Sequence, residues 1–267
     1  MPVINANGID LYYEVHGKGE PLLLIMGLSL SSNSWFRTVP ALSEHFKVIV
    51  FDNRGTGRSG KPDSPYSIEL MAEDARDVLD AAEVDSAHVY GISMGGMIAQ
   101  RLALKYPKRI SSLVLGCTTS GGINHVQPRG DVSMLMLSRG TSNATPEEMA
   151  WATAPILYSQ SFLENHKGLV AEDIQKRIEI PILPFAYMRQ LQACLTHDTY
   201  EEIDQIKAPT LVIHGDADRL VPYENGLTLA RKIPNAEFLT VPGAGHIYVS
   251  EAIDLVNDKV IDFIKNS

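Results

Sequence analysis

HVYGISMGGMIAQRLALKY, residues 88–106, joins an apolar run of strand length to a helically spaced one through a serine set between glycines. His88 to Ile92 reads as a buried strand, and Met94 to Tyr106 repeats apolar residues at helical intervals. The window Gly91-Ile92-Ser93-Met94-Gly95 has the form G-x-S-x-G. As a pentapeptide it is a weak signal; between a strand and a helix it is a strong one, because a serine on that sharp turn exposes its hydroxyl beyond the sheet. Glycine at 91 and 95 relieves crowding on both sides. Ser93 then stands at a helix N-terminus, where free N–H groups favour a developing negative charge. The plainer alternative is a helix-capping serine.

Outward from this window, other short apolar runs are bounded by turn residues: LLLIM (22–26), KVIVF (47–51), SLVLG (112–116), TLVIH (210–214) and FLTV (238–241). Residues 2–16 open the chain as two short strands, VIN and IDLYYEV, joined through Asn7-Gly8, a pair suited to a tight hairpin. Segments 67–82, 94–106, 223–232 and 247–265 carry helical spacing. Strands alternating with helices predict an α/β fold, a mostly parallel central sheet with helices on both faces. The alternation stops between Thr118 and Ile203, where MLML, WATAPILY and PILPFAYMRQLQACL suggest three to five helices. We therefore expect residues 1–117 and 204–267 to form one core domain and residues 118–203 an inserted helical cap or lid over the carboxyl ends of the strands, where ligands bind in such sheets.

Composition sets limits on function. A chain of 267 residues with 45% hydrophobic and 21% charged residues can bury a full core. The net charge is −9 and no lysine or arginine run exceeds a pair, which excludes a footprint for nucleic acid or an anionic membrane and points to a small neutral partner. Cys117 and Cys194 are too few for a disulfide framework and read as reduced thiols. The first residues lack a basic-then-apolar leader, and the run Leu22 to Leu30 is too short to span a bilayer, so a cytoplasmic location is the expectation.

A serine hydroxyl needs a base within reach and a third group to orient that base. Among eight histidines, His246 lies in the loop PGAGH between the last strand and the last helix, at the sheet edge expected for Ser93. His214 ends a strand and reads as packed and hydrogen-bonded; His16, His45, His88, His125, His166 and His197 read as surface residues. For the acid, HGDADRLVP after TLVIH offers Asp216 and Asp218, whereas GCTTSGG after the preceding strand offers no carboxylate.

With the order Ser, Asp, His, the chain resembles the α/β-hydrolase superfamily over nearly its whole length outside the inserted segment. Gly215, Asp218 and Val221-Pro222 match the family's G-x-x-D before V-P, and the resemblance selects Asp218, leaving Asp216 as a turn aspartate. Phe51 to Ser59 (FDNRGTGRS) looks like the family's strand-to-loop signature, and Gln192 to Ile206 leading into Pro209 is similar to lactonase- and esterase-like members, particularly the enol-lactone hydrolase branch. Where many members carry His-Gly after the third strand, this chain has Met26-Gly27. The resemblance implies an oxyanion hole from the N–H groups of Leu28 and Met94, and an enzyme cleaving a small to medium ester or lactone through an acyl-enzyme on Ser93, without cofactor or metal. Met134, Trp151, Phe185 and Tyr187 are the expected substrate-binding residues of the lid.

Rival readings are weaker. Gly55-Thr-Gly57-Arg-Ser-Gly60 fits G-x-G-x-x-G, but the prolines of KPDSP that follow cannot open the helix a pyrophosphate needs. His214, Asp216 and Asp218 alternate like metal ligands without a second histidine cluster. The same triad can also serve perhydrolysis or carbon–carbon bond hydrolysis, and a ligand-sensing protein of the same architecture is the non-enzymatic alternative.

Overall fold

Eight apolar runs pair into one sheet in a computed structural model that describes residues 2–267. The strands are β1 (Val3–Ala6), β2 (Ile9–His16), β3 (Pro21–Ile25), β4 (Lys47–Phe51), β5 (Ala87–Ile92), β6 (Ile110–Gly116), β7 (Thr210–Gly215) and β8 (Glu237–Val241). Their order is β1-β2-β4-β3-β5-β6-β7-β8, with β1 and β2 antiparallel to their neighbours and all other pairs parallel. Asn7 and Gly8 take φ of +48° and +79° in the first hairpin, a conformation that the Asn-Gly pair tolerates.

The two faces follow from side-chain alternation along the strands. Leu23, Ile25, Val89, Leu113 and Val212 pack on one side with α2 (Ile68–Ala81), α3 (Met94–Lys105) and α9 (Tyr223–Lys232). Leu22, Leu24, Tyr90, Val114, Leu211 and Ile213 pack on the other with α1 (Thr38–Ser43) and α11 (Ile253–Lys265). All six residues of β5 are buried, as a strand covered on both faces requires. The segment read as one helix over 247–265 is divided: α10 (Tyr248–Glu251) is separated from α11 by Ala252, which leaves helical geometry at φ −139°.

Between β6 and β7 lie five helices: α4 (Gly130–Ser138), α5 (Pro146–Leu157), α6 (Gln160–Asn165), α7 (Lys167–Ile178) and α8 (Pro184–Leu195). Thr145 and Glu148 form a reciprocal capping box at the start of α5, and Pro184 occupies the first turn of α8, where its missing N–H costs nothing. Ala150, Ala154, Val170 and Ile174 of these helices join the second core cluster. No helix among the described residues is long and apolar enough to cross a membrane.

Residues 51–59 organise the loop after β4. Asp52 accepts from the N–H groups of Ser32 and Arg58, both at 2.7 Å, and Arg54 forks onto Asp74 of α2 at 2.6 and 2.7 Å with both side chains buried. This excludes the dinucleotide reading on local grounds, since no helix follows Gly60 until Ile68. Burial raises the Asp74 carboxyl while Arg54 pulls it down. Removing one partner leaves the other charge buried alone, so Asp74→Ala should destabilise the fold by about 3–5 kcal/mol in urea unfolding. A loss under about 1 kcal/mol would show that Arg54 finds another way to water.

Candidate active site

Parallel strands point their carboxyl ends to one edge, and the loops leaving β3, β5, β6, β7 and β8 there carry Leu28, Ser93, Cys117, Asp218 and His246. Ser93 follows β5 at φ +56°, ψ −121°, a region costly for a residue with a Cβ, of order 1–3 kcal/mol. Its neighbours explain how it is held. A Cβ at Gly91 would stand 2.2 Å from the Gly95 oxygen, and one at Gly95 would stand 2.0 Å from the Ile25 oxygen. The Ser93 N–H donates to Gly116 O at 2.8 Å, and Thr118 Oγ1 donates to Ser93 O at 2.7 Å.

His246 is buried, and its Nδ1 lies 2.8 Å from Asp218 Oδ2. A carboxylate there accepts a hydrogen bond from Nδ1–H and leaves Nε2 with its lone pair. The other carboxylate oxygen, Oδ1, accepts from the N–H groups of Leu220 and Val221 at 2.8 and 2.9 Å. Burial by itself would raise the Asp218 carboxyl, but the charge of His246 and the bonds from His214 and His246 hold it down to about 2. Asp216 instead is exposed and accepts from Gly243 N–H at 2.6 Å, tying the β7 loop to the β8 loop.

His246 Nε2 lies 3.9 Å from Cys117 Sγ, and among the described residues no hydrogen bond joins it to Ser93 Oγ. Both Ser93 and His246 line one cavity of about 660 Å³, together with Leu28 and Met94. Such base–nucleophile contacts often tighten only when substrate is bound. Neither the Leu28 nor the Met94 N–H meets an acceptor among the described residues. The loop bearing Leu28 is fastened from outside: Asn53 Nδ2 donates to Met26 O at 2.9 Å, and Gln190 of α8 bridges Ser29 N–H and Arg54 O at 2.9 and 2.8 Å.

Cys117, Asp218 and His246 offer ligand atoms within 4.8 Å of one another. The set suits a metal poorly: burial pushes the Cys117 thiol up, so it stays neutral, and both Asp218 oxygens are already engaged. The alternating His214, Asp216 and Asp218 do not converge either. His214 is wholly buried, with Nε2 2.8 Å from Val221 O and 3.3 Å from Asp218 Oδ2, while Asp216 faces the other loop.

Several side chains fall elsewhere than the sequence suggested. Met134 is 73% exposed, Trp151 and Phe185 are exposed, and Tyr187 is buried with its hydroxyl donating to Met136 O; none of the four lines the cavity. Helical spacing identifies a residue as apolar and face-bearing without saying which neighbour its face meets. His88 and His197, read as surface residues, are buried beside Ser112 and Thr199, and His125 is half-buried against Thr119 and Asn225. Glu251 was not anticipated. Its Oε1 accepts from Ser159 N–H at 2.9 Å and Gly245 N–H at 3.1 Å, its Oε2 from Ser159 Oγ at 2.5 Å, and burial raises its carboxyl. A glutamate at the end of a short amphipathic helix carries no sequence mark that separates it from a solvated one.

The fold and the Ser93 turn define a class. Residues 20–252 match the family described as alpha/beta hydrolase fold, and the chain belongs to that family. Its relatives point within it: a protein of Azorhizobium caulinodans named as a carbamate hydrolase, RutD, is 33% identical over 265 residues, covering 98% of each chain. Among solved structures, an enol-lactonase from Burkholderia xenovorans superposes with a TM-score of 0.88 at 26% identity, covering 99% of this chain and 100% of that one. A hydrolase from Pseudomonas aeruginosa gives a TM-score of 0.87 at 27% identity, covering 98% and 97%. Family and relatives together support a hydrolase.

The two aspartates separate experimentally. Asp218→Asn should lower turnover of an aryl ester about 10³- to 10⁴-fold, because the amide no longer fixes the His246 tautomer. Asp216→Asn should stay within about tenfold, as it disturbs only a loop contact. Equal losses in two proteins with parental melting temperatures would place the supporting carboxylate elsewhere.

Proposed function

We propose that the protein is a serine hydrolase that cleaves a small to medium ester or lactone through an acyl-enzyme on Ser93. The observation that carries this reading is the 2.8 Å bond between Asp218 and His246 Nδ1 at the cavity that Ser93 also lines. In this scheme His246 Nε2 takes the Ser93 proton as Oγ bonds to the substrate carbonyl carbon, and the N–H groups of Leu28 and Met94 hold the oxyanion. The intermediate expels the alcohol, which receives the proton from His246. Water, deprotonated by the same histidine, then attacks the acyl carbon, the bond to Ser93 Oγ breaks to release the acid, and the proton on His246 returns to Oγ. Residues 118–203 act as the lid over this site, and the scheme needs no metal or cofactor.

A carbamate is the second substrate class, favoured by the names of full-length relatives such as that of Azorhizobium caulinodans. Its carbonyl admits the same attack, with an amine as the departing group. The acid Asp218, at about 2, stays ionised through the neutral range, so the orienting carboxylate should not be what limits activity as pH falls from about 8 to about 4; a loss in that range that disappears in Asp218→Asn would show otherwise.

An organophosphonate with a good leaving group should add once to the parent by intact mass and not at all to Ser93→Ala. Ser93→Ala should also retain less than about a hundredth of the parental turnover. Labelling of the alanine variant would locate the nucleophile elsewhere.

The oxyanion donors are tested by a pair of substitutions at one position. Leu28→Ala keeps the N–H and should hold turnover within about tenfold; Leu28→Pro deletes it and should cost about 10² or more, roughly 2.7–4 kcal/mol. Parental turnover in a Leu28→Pro protein that melts like the parent would remove Leu28 from the oxyanion site.

A further inference from the structure

The cavity beside Ser93 is walled mainly by apolar side chains, Met97, Met149, Leu191 and Val249 among them, yet two arginines, Arg139 and Arg177, also line it. Arg139 lies just after α4, and Arg177 lies in α7, both in the inserted helices. Among the described residues, neither forms an ion pair with a carboxylate. Arg177 Nη2 donates to Tyr158 Oη at 2.9 Å, which uses one of its N–H groups, and the Arg139 guanidinium makes no hydrogen bond among the described residues. The guanidinium of Arg139 lies over the Tyr187 ring, 4.8 Å from its centroid.

One carboxylate lines the same cavity, that of Asp173, and it is already occupied. Its Oδ1 accepts from Arg37 Nε at 3.1 Å and its Oδ2 from Tyr158 Oη at 2.9 Å. The cavity-lining His125 and His197 contribute no negative charge, and burial lowers both, His197 to about 3, so they remain neutral. Arg139 therefore has no anion to balance it, and Arg177 meets Asp173 only through the shared Tyr158 hydroxyl. Burial lowers Arg139, and the charge of Arg177 lowers it further. A ring face compensates a guanidinium far less than a carboxylate does, since the fork of N–H groups is made for two oxygens.

We propose that this cavity takes substrates whose acyl part carries a second, anionic group such as a carboxylate, bound by Arg139 and Arg177 while the scissile carbonyl lies at Ser93. The proposal rests on the hydrolase reading and narrows its substrate class. It also replaces the expectation of a neutral partner: a net charge of −9 describes the whole chain, whereas the cavity is locally cationic. Chemistry then resides in the loops of the sheet and selection in the inserted helices.

The test uses monophenyl glutarate and its neutral methyl ester, which differ in the distal charge and one methyl group. Calorimetry on Ser93→Ala protein should show the monoanion binding at least about tenfold more tightly, with the preference reduced to under about threefold by adding Arg139→Gln or Arg177→Gln. Equal affinity for the two probes in the Ser93→Ala protein overturns the proposal whether or not the arginine variants fold, as does a preference that survives both of them in folded protein. Phenol release by the parent is followed in parallel. Turnover without a preference for the monoanion leaves the hydrolase and removes the anion site. A binding preference without turnover of either ester leaves the anion site and removes the hydrolase reading.

Discussion

Backbone contact between the first turn of α3 and the ends of β3 and β5 leaves no room for a Cβ at Gly91 or Gly95, where one would lie 2.2 or 2.0 Å from a carbonyl oxygen. That contact is the constraint on which the site depends. With the helix pressed so close, the single residue able to turn between strand and helix is driven to φ +56° and its side chain is turned outward. The strain is local and small beside the packing that imposes it, because both sheet faces are filled by buried Leu, Ile and Val that fix β3, β5 and α3 relative to one another. The bonds from Ser93 N–H to Gly116 and from Thr118 to Ser93 O then join the turn to β6. Any change that relaxed the contact would also let the serine swing from its half-buried position at the cavity.

The inserted helices are braced against the loops that carry the candidate residues. The last carbonyls of α5 lack helical donors, and two of them are used by the core: Leu157 O accepts from Ile247 N–H at 2.9 Å, and Pro155 O accepts from Arg219 at 2.9 Å. Glu251 adds a second tie, spanning Ser159 beyond α5 and Gly245 before His246. On the far side Gln190 joins α8 to the loop of Ser29. Apart from the exposed Arg219 contact, the side-chain bonds are made in a buried or half-buried setting, where an unpaired group is costly, so movement of the inserted helices must be felt at His246 and at Leu28. Substrate fit in the insertion and geometry at the sheet edge are thus mechanically connected.

Much of this was legible in the sequence because local rules and global arrangement agreed. Strand-length apolar runs, the Asn7-Gly8 turn and the G-x-S-x-G window each carry a steric meaning that tertiary packing did not override. The pairing of Asp218 with His246, found at 2.8 Å, was readable only through resemblance, since spacing alone left Asp216 open. The cavity wall was not legible. Apolar residues at helical intervals in 118–203 have several possible partners, and Tyr187 turned to Met136 while Met134 turned to solvent. Polar residues that act by tying backbone, such as Glu251 and Gln190, have no signature at all, because their role is set by where two distant loops happen to meet.

Charge shows the same division between what composition reports and what a site contains. An excess of acidic residues acts through solvent, where screening confines each charge to roughly 8–10 Å, and it therefore governs encounters with extended polyanions and membranes. Inside a cavity walled by methionine and leucine, the effective dielectric falls and a single guanidinium outweighs many surface carboxylates. Asp173, on the cavity wall, is held by Arg37 and by Tyr158, whose hydroxyl also accepts from Arg177, and Glu172 is held by Arg37 at 2.6 Å. Arg37, outside the insertion, thereby neutralises the acid that would otherwise quench the cavity's positive charge, so the local sign depends on a residue that does not itself line the cavity.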